Sequence, residues 1–300
     1  MKNINIIFKN EQDKIDFVNE CERDFEQRLD EVSKNAINSG VRILLLSGPT
    51  CAGKTTTANK IIHDYNEIGK SVTVISIDDF FKEKIEDRKV NEDKKLDYDS
   101  VDVIDLPLLA DCIQSIEAGN IISVPKFDFV SQKRIGYTKH AIDENEIIIF
   151  EGIQAVYPEI TSLFDVEYRG IFICVNDDVC INGVRFTKNE IRLIRRIVRD
   201  EKFRGATPEF TFYIWESVRE NEEKSIFPNK DICQIQIDSF MCYELFLMKK
   251  YLIDVLASFD KSSKYYEKAK DILEKISSLD EISYDYIPKG SLYTEFLGEK

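Results

Sequence analysis

Residues 48–55 read Gly48-Pro49-Thr50-Cys51-Ala52-Gly53-Lys54-Thr55, directly after a mostly apolar run at 41–46. The stretch matches the pattern G-x-x-x-x-G-K-[ST], a glycine-rich loop that wraps nucleotide phosphates at the start of a helix. The glycines let several backbone N–H groups converge on one anion, and the helix adds the positive end of its dipole. Lys54 adds a charge at the β- and γ-phosphates, and Thr55 offers a hydroxyl to Mg²⁺. The sequence therefore predicts a phosphate-binding loop between a strand and a helix over 56–68.

Length, composition and charge are those of an ordinary globular protein. With 300 residues, 43% of them hydrophobic and 32% charged, the chain can bury a full core. Its net charge of −14 disfavours a nucleic-acid polymer as partner, although one basic pocket can still bind a nucleotide. No apolar run reaches the roughly 18 residues of a membrane span, and the first residues lack a signal-peptide pattern. We therefore expect a cytoplasmic protein with no membrane partner.

Short β-branched and apolar runs alternate with helical stretches along the chain. Strand candidates lie at residues 43–46, 72–77, 146–150, 171–175 and 235–237. Such alternation predicts parallel strands that are joined by crossover helices and buried on both faces. The expected fold class is α/β, a doubly wound and mostly parallel sheet of the P-loop NTPase type, with a helical lid and C-terminal helices.

The periodicity also predicts how the chain is divided. Apolar spacing at 11–39 indicates an amphipathic helix, so we expect an N-terminal helical extension over 1–40 and a main domain over 41–300. Within the main domain, the charged helical stretch at about 189–225 would form the lid. A helix is expected at 106–118, a short strand at 121–125, and C-terminal helices at about 243–278. Residues 82–98 are charged without periodicity, which predicts an exposed excursion.

Acidic residues follow two of the expected strands, at the edge of the sheet where ligands bind in such folds. Asp78 and Asp79 end the second strand, and Glu151 follows the strand at 146–150. A carboxylate there can accept the proton of an attacking hydroxyl, and another can hold a metal ion or its water. The alternatives are helix capping by the aspartates and a solvated strand end at Glu151. The residues alone leave both open.

A run of arginines is the third feature. Helical spacing places Arg192, Arg195, Arg196 and Arg199 along one side of a helix. Guanidinium groups can neutralise the charge on a phosphoryl group in transfer, and we favour this interpretation beside a phosphate loop. The alternative is a solvated helix face that pairs with local acids. No complete N-K-x-D guanine-reading motif occurs in the sequence, which weakens a GTPase interpretation.

Taken in order, these motifs resemble the uridine kinase and phosphoribulokinase family, and most of all its bacterial uridine-kinase-like nucleoside kinases. The resemblance rests on the phosphate loop and on Ser76-Ile-Asp78-Asp79-Phe-Phe81, Tyr98-Asp99, Pro125-Lys-Phe127-Asp128-Phe129, Phe150-Glu151-Gly152-Ile153 and Arg195-Arg196-Ile-Val-Arg199-Asp200. Later stretches at 215–219, 222–228 and 287–292 also look like the bacterial branch, so the match covers about 42–297. It implies an ATP-dependent kinase that phosphorylates the 5′-hydroxyl of a ribonucleoside, with uridine or cytidine as acceptor.

The resemblance also implies roles for the matching residues. Asp78 would be the general base and act in catalysis together with Lys54. The groups implied to hold Mg²⁺ are Thr55, Asp78 and Glu151. The residues implied to bind ATP are Gly48, Pro49, Thr50, Cys51, Ala52, Gly53, Lys54, Thr55, Thr56, Arg199 and Arg204. The residues implied to bind the acceptor are Asp79, Asp99, Phe127, Gln132, Arg134 and Arg196.

The sequence departs from the family pattern at the acceptor site and in the lid. Uridine-cytidine kinases read the base with a Tyr and a His, where this chain has Phe127 and Gln132. The R-G-R of the lid becomes Arg204-Gly205-Ala206. The alternatives are a kinase of another small alcohol, phosphoribulokinase-like or pantothenate-kinase-like, and an ATP-binding regulator that transfers nothing. The helices near 243–277 could serve a homo-oligomer or cap the sheet.

Overall fold

The structure, a computed structural model, describes residues 1–83, 98–129 and 131–299, so most of the expected excursion at 82–98 lies outside the described residues. The helices are α1 Glu11–Ser39, α2 Lys54–Glu67, α3 Leu106–Glu117, α4 Pro158–Thr161, α5 Lys188–Arg204, α6 Pro208–Asn221, α7 Glu244–Ala257, α8 Tyr266–Ser277 and α9 Thr294–Leu297. The strands are β1 Lys2–Ile4, β2 Ile43–Ser47, β3 Val72–Ser76, β4 Ile121–Asp128, β5 Lys133–Ala141, β6 Ile147–Glu151, β7 Tyr168–Cys174, β8 Val179–Ile181, β9 Val184–Phe186 and β10 Ile235–Asp238.

The main sheet contains the strands that the sequence predicts. Its order is β10-β7-β2-β6-β3, and every neighbouring pair is parallel. The strand that precedes the phosphate loop therefore lies in the middle, with β6 and then β3 on one side. Because all these strands run the same way, the loop after β2, Glu151 at the end of β6 and Asp78 after β3 meet at one edge. The expected α/β class with a parallel sheet is confirmed.

Alternate side chains of the sheet pack into two separate cores. Leu44 and Leu46 of β2 belong to one hydrophobic cluster, which includes buried residues of α1, α2, α5, α7 and α8. Ile43 and Leu45 belong to the other, which includes buried residues of α3. Successive residues of a strand point to opposite faces, so a sheet covered on both sides needs apolar residues at every position. This explains the continuous apolar run before the loop.

Helix α1 starts and ends where the sequence predicts. The Asn10 side chain accepts a hydrogen bond from the N–H of Asp13 at 3.0 Å, and Gly40 ends the helix with a φ of 69°. Its buried face packs into the same cluster as β2 and α2. The division of the chain at residue 40 stays a prediction.

Three parts of the fold differ from the expectations. The strand expected at 121–125 extends to residue 128 as β4 and pairs with β5 in an antiparallel hairpin. A small sheet also joins β1 to β8 and β9, and its strands of three residues are too short for a periodic signal. The charged stretch at 189–225 forms two helices, because Gly205 has a φ of 59° and Thr207 caps α6. Within the described residues, none of the helices combines the length and apolar character needed to cross a membrane.

Candidate active site

The phosphate loop joins the buried strand β2 to helix α2, as the sequence predicts. Two of its residues have left-handed backbone, Cys51 with a φ of 57° and Gly53 with a φ of 99°. Gly48 is required for space, since a Cβ there would lie 2.2 Å from the carbonyl oxygen of Ile173. The loop thus passes directly against strand β7, which only a residue without a side chain allows at position 48.

Lys54 is the first residue of α2, and its side chain folds back over the loop. Its Nζ donates to the carbonyl oxygens of Gly48 at 3.1 Å and Pro49 at 3.4 Å. The first N–H groups of a helix have no partner within the helix and attract anions. An ammonium group and amide donors are therefore brought together, which is the arrangement that binds a phosphate chain.

Two buried arginines of α5 hold the backbone of the loop. Arg192 donates to the carbonyl oxygen of Thr50 at 3.2 Å, and Arg195 donates to that of Cys51 at 3.0 Å. Both side chains are almost completely buried, at 1% and 0% exposure. Their acidic partners are Glu222 and Glu244. These two arginines do not form a solvated helix face, because they are buried. They also do not extend to the phosphate position, because each binds a glutamate and a backbone carbonyl of the loop.

The other arginines of α5 surround Asp200. Arg199 donates through Nη1 to Oγ1 of Thr50 at 3.4 Å and through Nε to Asp200 at 3.0 Å. Arg196 is nearly buried, with Nε 3.1 Å from Asp200. Arg204 lies 3.6 Å from Asp200, and its side chain is 58% exposed. The structure thus places Arg199 on the loop and leaves Arg204 accessible at the end of the helix.

Asp78 and Glu151 lie at the ends of neighbouring strands, where Ser76 of β3 pairs with Glu151 of β6. The pKa of Asp78 is raised to about 6, first because protein atoms limit its hydration and second because Glu151 carries a like charge. The ammonium of Lys54 acts in the opposite direction. Burial also raises the pKa of Glu151, again against the effect of Lys54. Asp78 remains accessible from solvent, as an incoming hydroxyl would require.

The oxygen atoms at this edge suit Mg²⁺. Thr55, Asp78 and Glu151 offer only hard oxygen donors, and a divalent cation would relieve the repulsion between the two carboxylates. In the part of the chain that the structure describes, no three His, Cys, Asp or Glu side chains converge on one metal position. Mg²⁺ is commonly held by one or two carboxylates and completes its shell with phosphate oxygens and water.

The second aspartate of the pair, Asp79, contacts the β4–β5 hairpin. Its Oδ1 accepts a hydrogen bond from the N–H of Phe127 at 3.0 Å. The ring of Phe127 belongs to a cluster with Phe81, Tyr98 and Phe129, in which neighbouring centroids are 5.1–6.3 Å apart. Phe127 is 6% exposed, whereas Tyr98 and Phe129 are 40% and 45% exposed. The accessible rings of this cluster are therefore those of Tyr98 and Phe129.

Other residues predicted to bind the acceptor substrate lie on or near the same hairpin, and they already have hydrogen-bond partners within the protein. Gln132 has a φ of 57°, and its Nε2 donates to the carbonyl oxygen of Phe129 at 2.6 Å. Arg134 donates to the carboxylate of Asp105 at 2.7 Å. The backbone carbonyl oxygen of Asp99 accepts from the Tyr157 hydroxyl at 3.2 Å. An acceptor that used Gln132 or Arg134 would share them with these contacts.

Glu295 also lies at this site, and the sequence analysis missed it. The residue belongs to the short helix α9, and its carboxylate accepts hydrogen bonds from Thr56 in the first turn of α2. The two residues are 239 positions apart. No local pattern indicates a contact over that separation, and the stretch at 287–292 that carries the resemblance does not include Glu295.

The chain matches the model of a known protein family. The model of the phosphoribulokinase / uridine kinase family matches residues 43–245, which include the phosphate loop, the strands of the main sheet and helices α5 and α6. The match confirms the resemblance that the motifs show.

Curated proteins with similar sequences align with part of this chain. It is 29% identical over 195 residues to uridine-cytidine kinase A of Dictyostelium discoideum, which is 64% of this chain and 35% of that protein. It is 28% identical over 202 residues to inorganic pyrophosphatase TTM2 of Arabidopsis thaliana, which is 67% of this chain and 26% of that protein. The chain thus spans about a third or less of the length of these curated relatives. A solved structure of a possible uridine kinase from Bacillus stearothermophilus has 17% identity and a TM-score of 0.48, and the match covers 72% of this chain and 100% of that one.

Proposed function

Because the chain belongs to the phosphoribulokinase / uridine kinase family, we propose that it transfers the γ-phosphoryl group of ATP to the 5′-hydroxyl of uridine or cytidine. The observation that carries the proposal is that Asp78, Glu151 and Lys54 lie at one edge of the sheet. There limited hydration, and after it the like charge of Glu151, raise the pKa of Asp78 to about 6 against the effect of Lys54. A carboxylate with that pKa is ionised at neutral pH and is a better base than an ordinary aspartate.

Asp78 accepts the proton of the 5′-hydroxyl, the hydroxyl oxygen bonds to the γ-phosphorus, and ADP leaves with the electrons of the broken P–O bond. Lys54 and the first N–H groups of α2 hold the β- and γ-phosphates in line. Thr55, Asp78 and Glu151 would hold Mg²⁺, which supplies charge neutralisation on those phosphates when it is bound. Arg199 and Arg204 contribute further positive charge around the loop.

The aromatic cluster favours an acceptor with a planar base. Tyr98 and Phe129 are the exposed rings of the cluster that contains Phe127, and a base stacked on such a ring gains about 1–3 kcal/mol. The carboxylates of Asp79 and Asp99 are suited to the sugar hydroxyls. Stacking tolerates any base, so the choice between uridine and cytidine would come from polar contacts at the hairpin.

A sugar phosphate or an acid such as pantothenate is the second acceptor class. It is favoured by the exposed side chains of Lys126 and Lys133 on the hairpin, which could pair with an anionic group. Arg134 is less suited to this task, because it already pairs with Asp105.

Coupled ATP turnover against uridine, cytidine, adenosine, ribulose 5-phosphate and pantothenate tests the proposal. We expect the two pyrimidine nucleosides to be the best acceptors. Asp78→Asn should keep ATP binding and lose roughly 10²-fold or more in turnover, the size expected for a general base. Equal turnover in Asp78→Asn would remove the mechanism. ATP binding without turnover on any acceptor would favour a regulator.

A further inference from the structure

The carboxylate of Glu295 contacts the N-terminus of the helix that follows the phosphate loop. Its Oε1 accepts from the N–H of Thr56 at 2.6 Å and from the Thr56 hydroxyl at 2.5 Å. Thr56 is the third residue of α2, so its N–H has no partner within the helix. Donors in the first turn after such a loop are those that take nucleotide phosphates. Glu295 therefore uses donors that belong to the phosphate-binding motif.

Residues 291–297, here called the capping segment, are packed firmly against the loop and α5. The Tyr293 hydroxyl donates to the buried carboxylate of Glu244 at 3.0 Å, and Phe296 is 1% exposed. Leu292 packs on the loop, since a Cβ at Gly53 would lie 2.5 Å from its Cδ1. Glu295 is thus placed on Thr56 by the packing of the segment, and its position is part of the fold.

The negative charge of Glu295 acts on the groups that would meet a triphosphate. After burial and the opposing effect of Lys54, it is a further cause of the raised pKa of Glu151. It also contributes, as the last of several causes, to the raised pKa of Arg199. A phosphate that approached Thr56 would meet a carboxylate of like charge on the same donors. The N–H and hydroxyl of Thr56 cannot donate fully to the Glu295 carboxylate and to a phosphate at the same time.

We propose that Glu295 is an autoinhibitory contact, a carboxylate that competes with a nucleotide phosphate for the N-terminus of α2. The inference rests on the proposed function to the extent that the competing ligand is the ATP of that reaction. Nucleotide then binds only to molecules in which Glu295 has left Thr56. The apparent dissociation constant is therefore the intrinsic one divided by the fraction of such molecules. Anything that draws the capping segment away raises the affinity for ATP.

A purely structural cap makes the opposite prediction for binding. If Glu295 only completes the hydrogen bonds of α2, its removal destabilises the helix and leaves nucleotide affinity unchanged or weaker. If it competes, its removal lowers the melting temperature and yet tightens nucleotide binding. The direction of the change in affinity therefore separates the two roles.

Calorimetric titration of a non-hydrolysable ATP analogue with Mg²⁺ into the full chain tests the inference. We expect Glu295→Gln and Glu295→Ala to lower the dissociation constant by roughly 5- to 30-fold. Glu299→Gln is the matched control, because it makes the same change of charge at an exposed residue nearby, and it should stay within about twofold of the wild type. Unchanged or weaker binding in folded Glu295 variants would overturn the proposal, as would an equal gain in Glu299→Gln.

Hydrogen exchange in the unmodified protein gives a second test that does not depend on a stable variant. The amides of the capping segment should exchange faster when the analogue is bound, because Glu295 is displaced. Slower or equal exchange would contradict the competition. Both measurements omit the acceptor, so they separate the two proposals. Tighter binding in a chain that phosphorylates nothing removes the proposed function alone, and normal turnover with no tightening removes the autoinhibitory contact alone.

Discussion

Asp78 shows how the surroundings of one side chain change its acidity. Its sequence position, after an apolar strand, is compatible with capping a helix as well as with catalysis. In the structure, limited hydration and then the like charge of Glu151 raise the pKa of Asp78 to about 6. Lys54 restrains the shift, so the group is still ionised at pH 7. A base must be unprotonated to accept a proton, and the sign of the pH dependence follows from that.

The first prediction is that kcat/KM for the preferred acceptor falls as the pH is lowered through about 6, the pKa of Asp78. Below that pH the value should drop about tenfold per pH unit, because only the ionised fraction can act. The measurement is a pH–rate profile between pH 4.5 and 8. An acidic limb centred near 4, where an unperturbed aspartate titrates, would contradict the coupling.

Glu151→Gln is the matched variant for this profile. It removes the like charge that helps to raise the pKa of Asp78, so the acidic limb should move to lower pH even if the turnover is reduced. A limb that stays in place would mean that Glu151 does not act on the base.

Helix α1 illustrates the element scale, because its amphipathic pattern does not say what its apolar face covers. In the structure Phe25 and Leu29 lie in the same cluster as β2 and α2. Arg28 donates to the carbonyl oxygens of Asp238 and, at 3.2 Å, of Phe240, next to strand β10. The helix thus covers the main sheet and is attached to its edge.

The second prediction is that Phe25→Ala destabilises the whole chain by about 3–5 kcal/mol, the cost of truncating a buried phenylalanine. Urea unfolding followed by circular dichroism measures the change, and it should show a single transition with a lower midpoint. Glu26→Ala, at an exposed neighbouring position, should change the stability by no more than about 0.5 kcal/mol. A separate early transition in Phe25→Ala would mean that residues 1–40 fold as an independent extension.

At the scale of the whole molecule, one buried ion pair connects distant parts of the chain to the phosphate loop. Arg195 of α5 pairs with Glu244 of α7 and donates to the carbonyl oxygen of Cys51. Tyr293 donates to the same carboxylate from the capping segment. Burial opposes the charge on Arg195, but Glu244 outweighs it and keeps the pKa of the guanidinium above its usual range.

The third prediction is that Glu244→Gln costs about 3–5 kcal/mol of stability, because it leaves a buried guanidinium without its counter-charge. Thermal unfolding measures the loss. Affinity for the ATP analogue should weaken as well, since Arg195 holds the loop backbone. Glu274→Gln on the exposed surface of α8 is the comparison, and its pair with Lys270 should contribute less than about 1 kcal/mol. Equal stability of the two variants would argue against the role of the buried pair.

The order of local elements could be predicted from the sequence. The apolar run before Gly48, the glycine-lysine-threonine spacing and the alternation of strands and helices depend on neighbouring residues, and the observed bounds of β2, α2 and α3 agree with them within a few positions. The meeting of the phosphate loop, Asp78 and Glu151 was also predictable. Parallel strands place their carboxyl ends at one edge, so acids at strand ends must converge there.

The partners of individual side chains depended on the assembled structure. Helical spacing put Arg192 and Arg195 on one row with Arg199, but burial against Glu222 and Glu244 assigns the first two to the loop backbone. The placement of Glu295 on Thr56 depends on packing across 239 positions. Periodicity reports which face of an element is apolar. It carries no information about which distant charge lies opposite, because that is set by how the elements pack together.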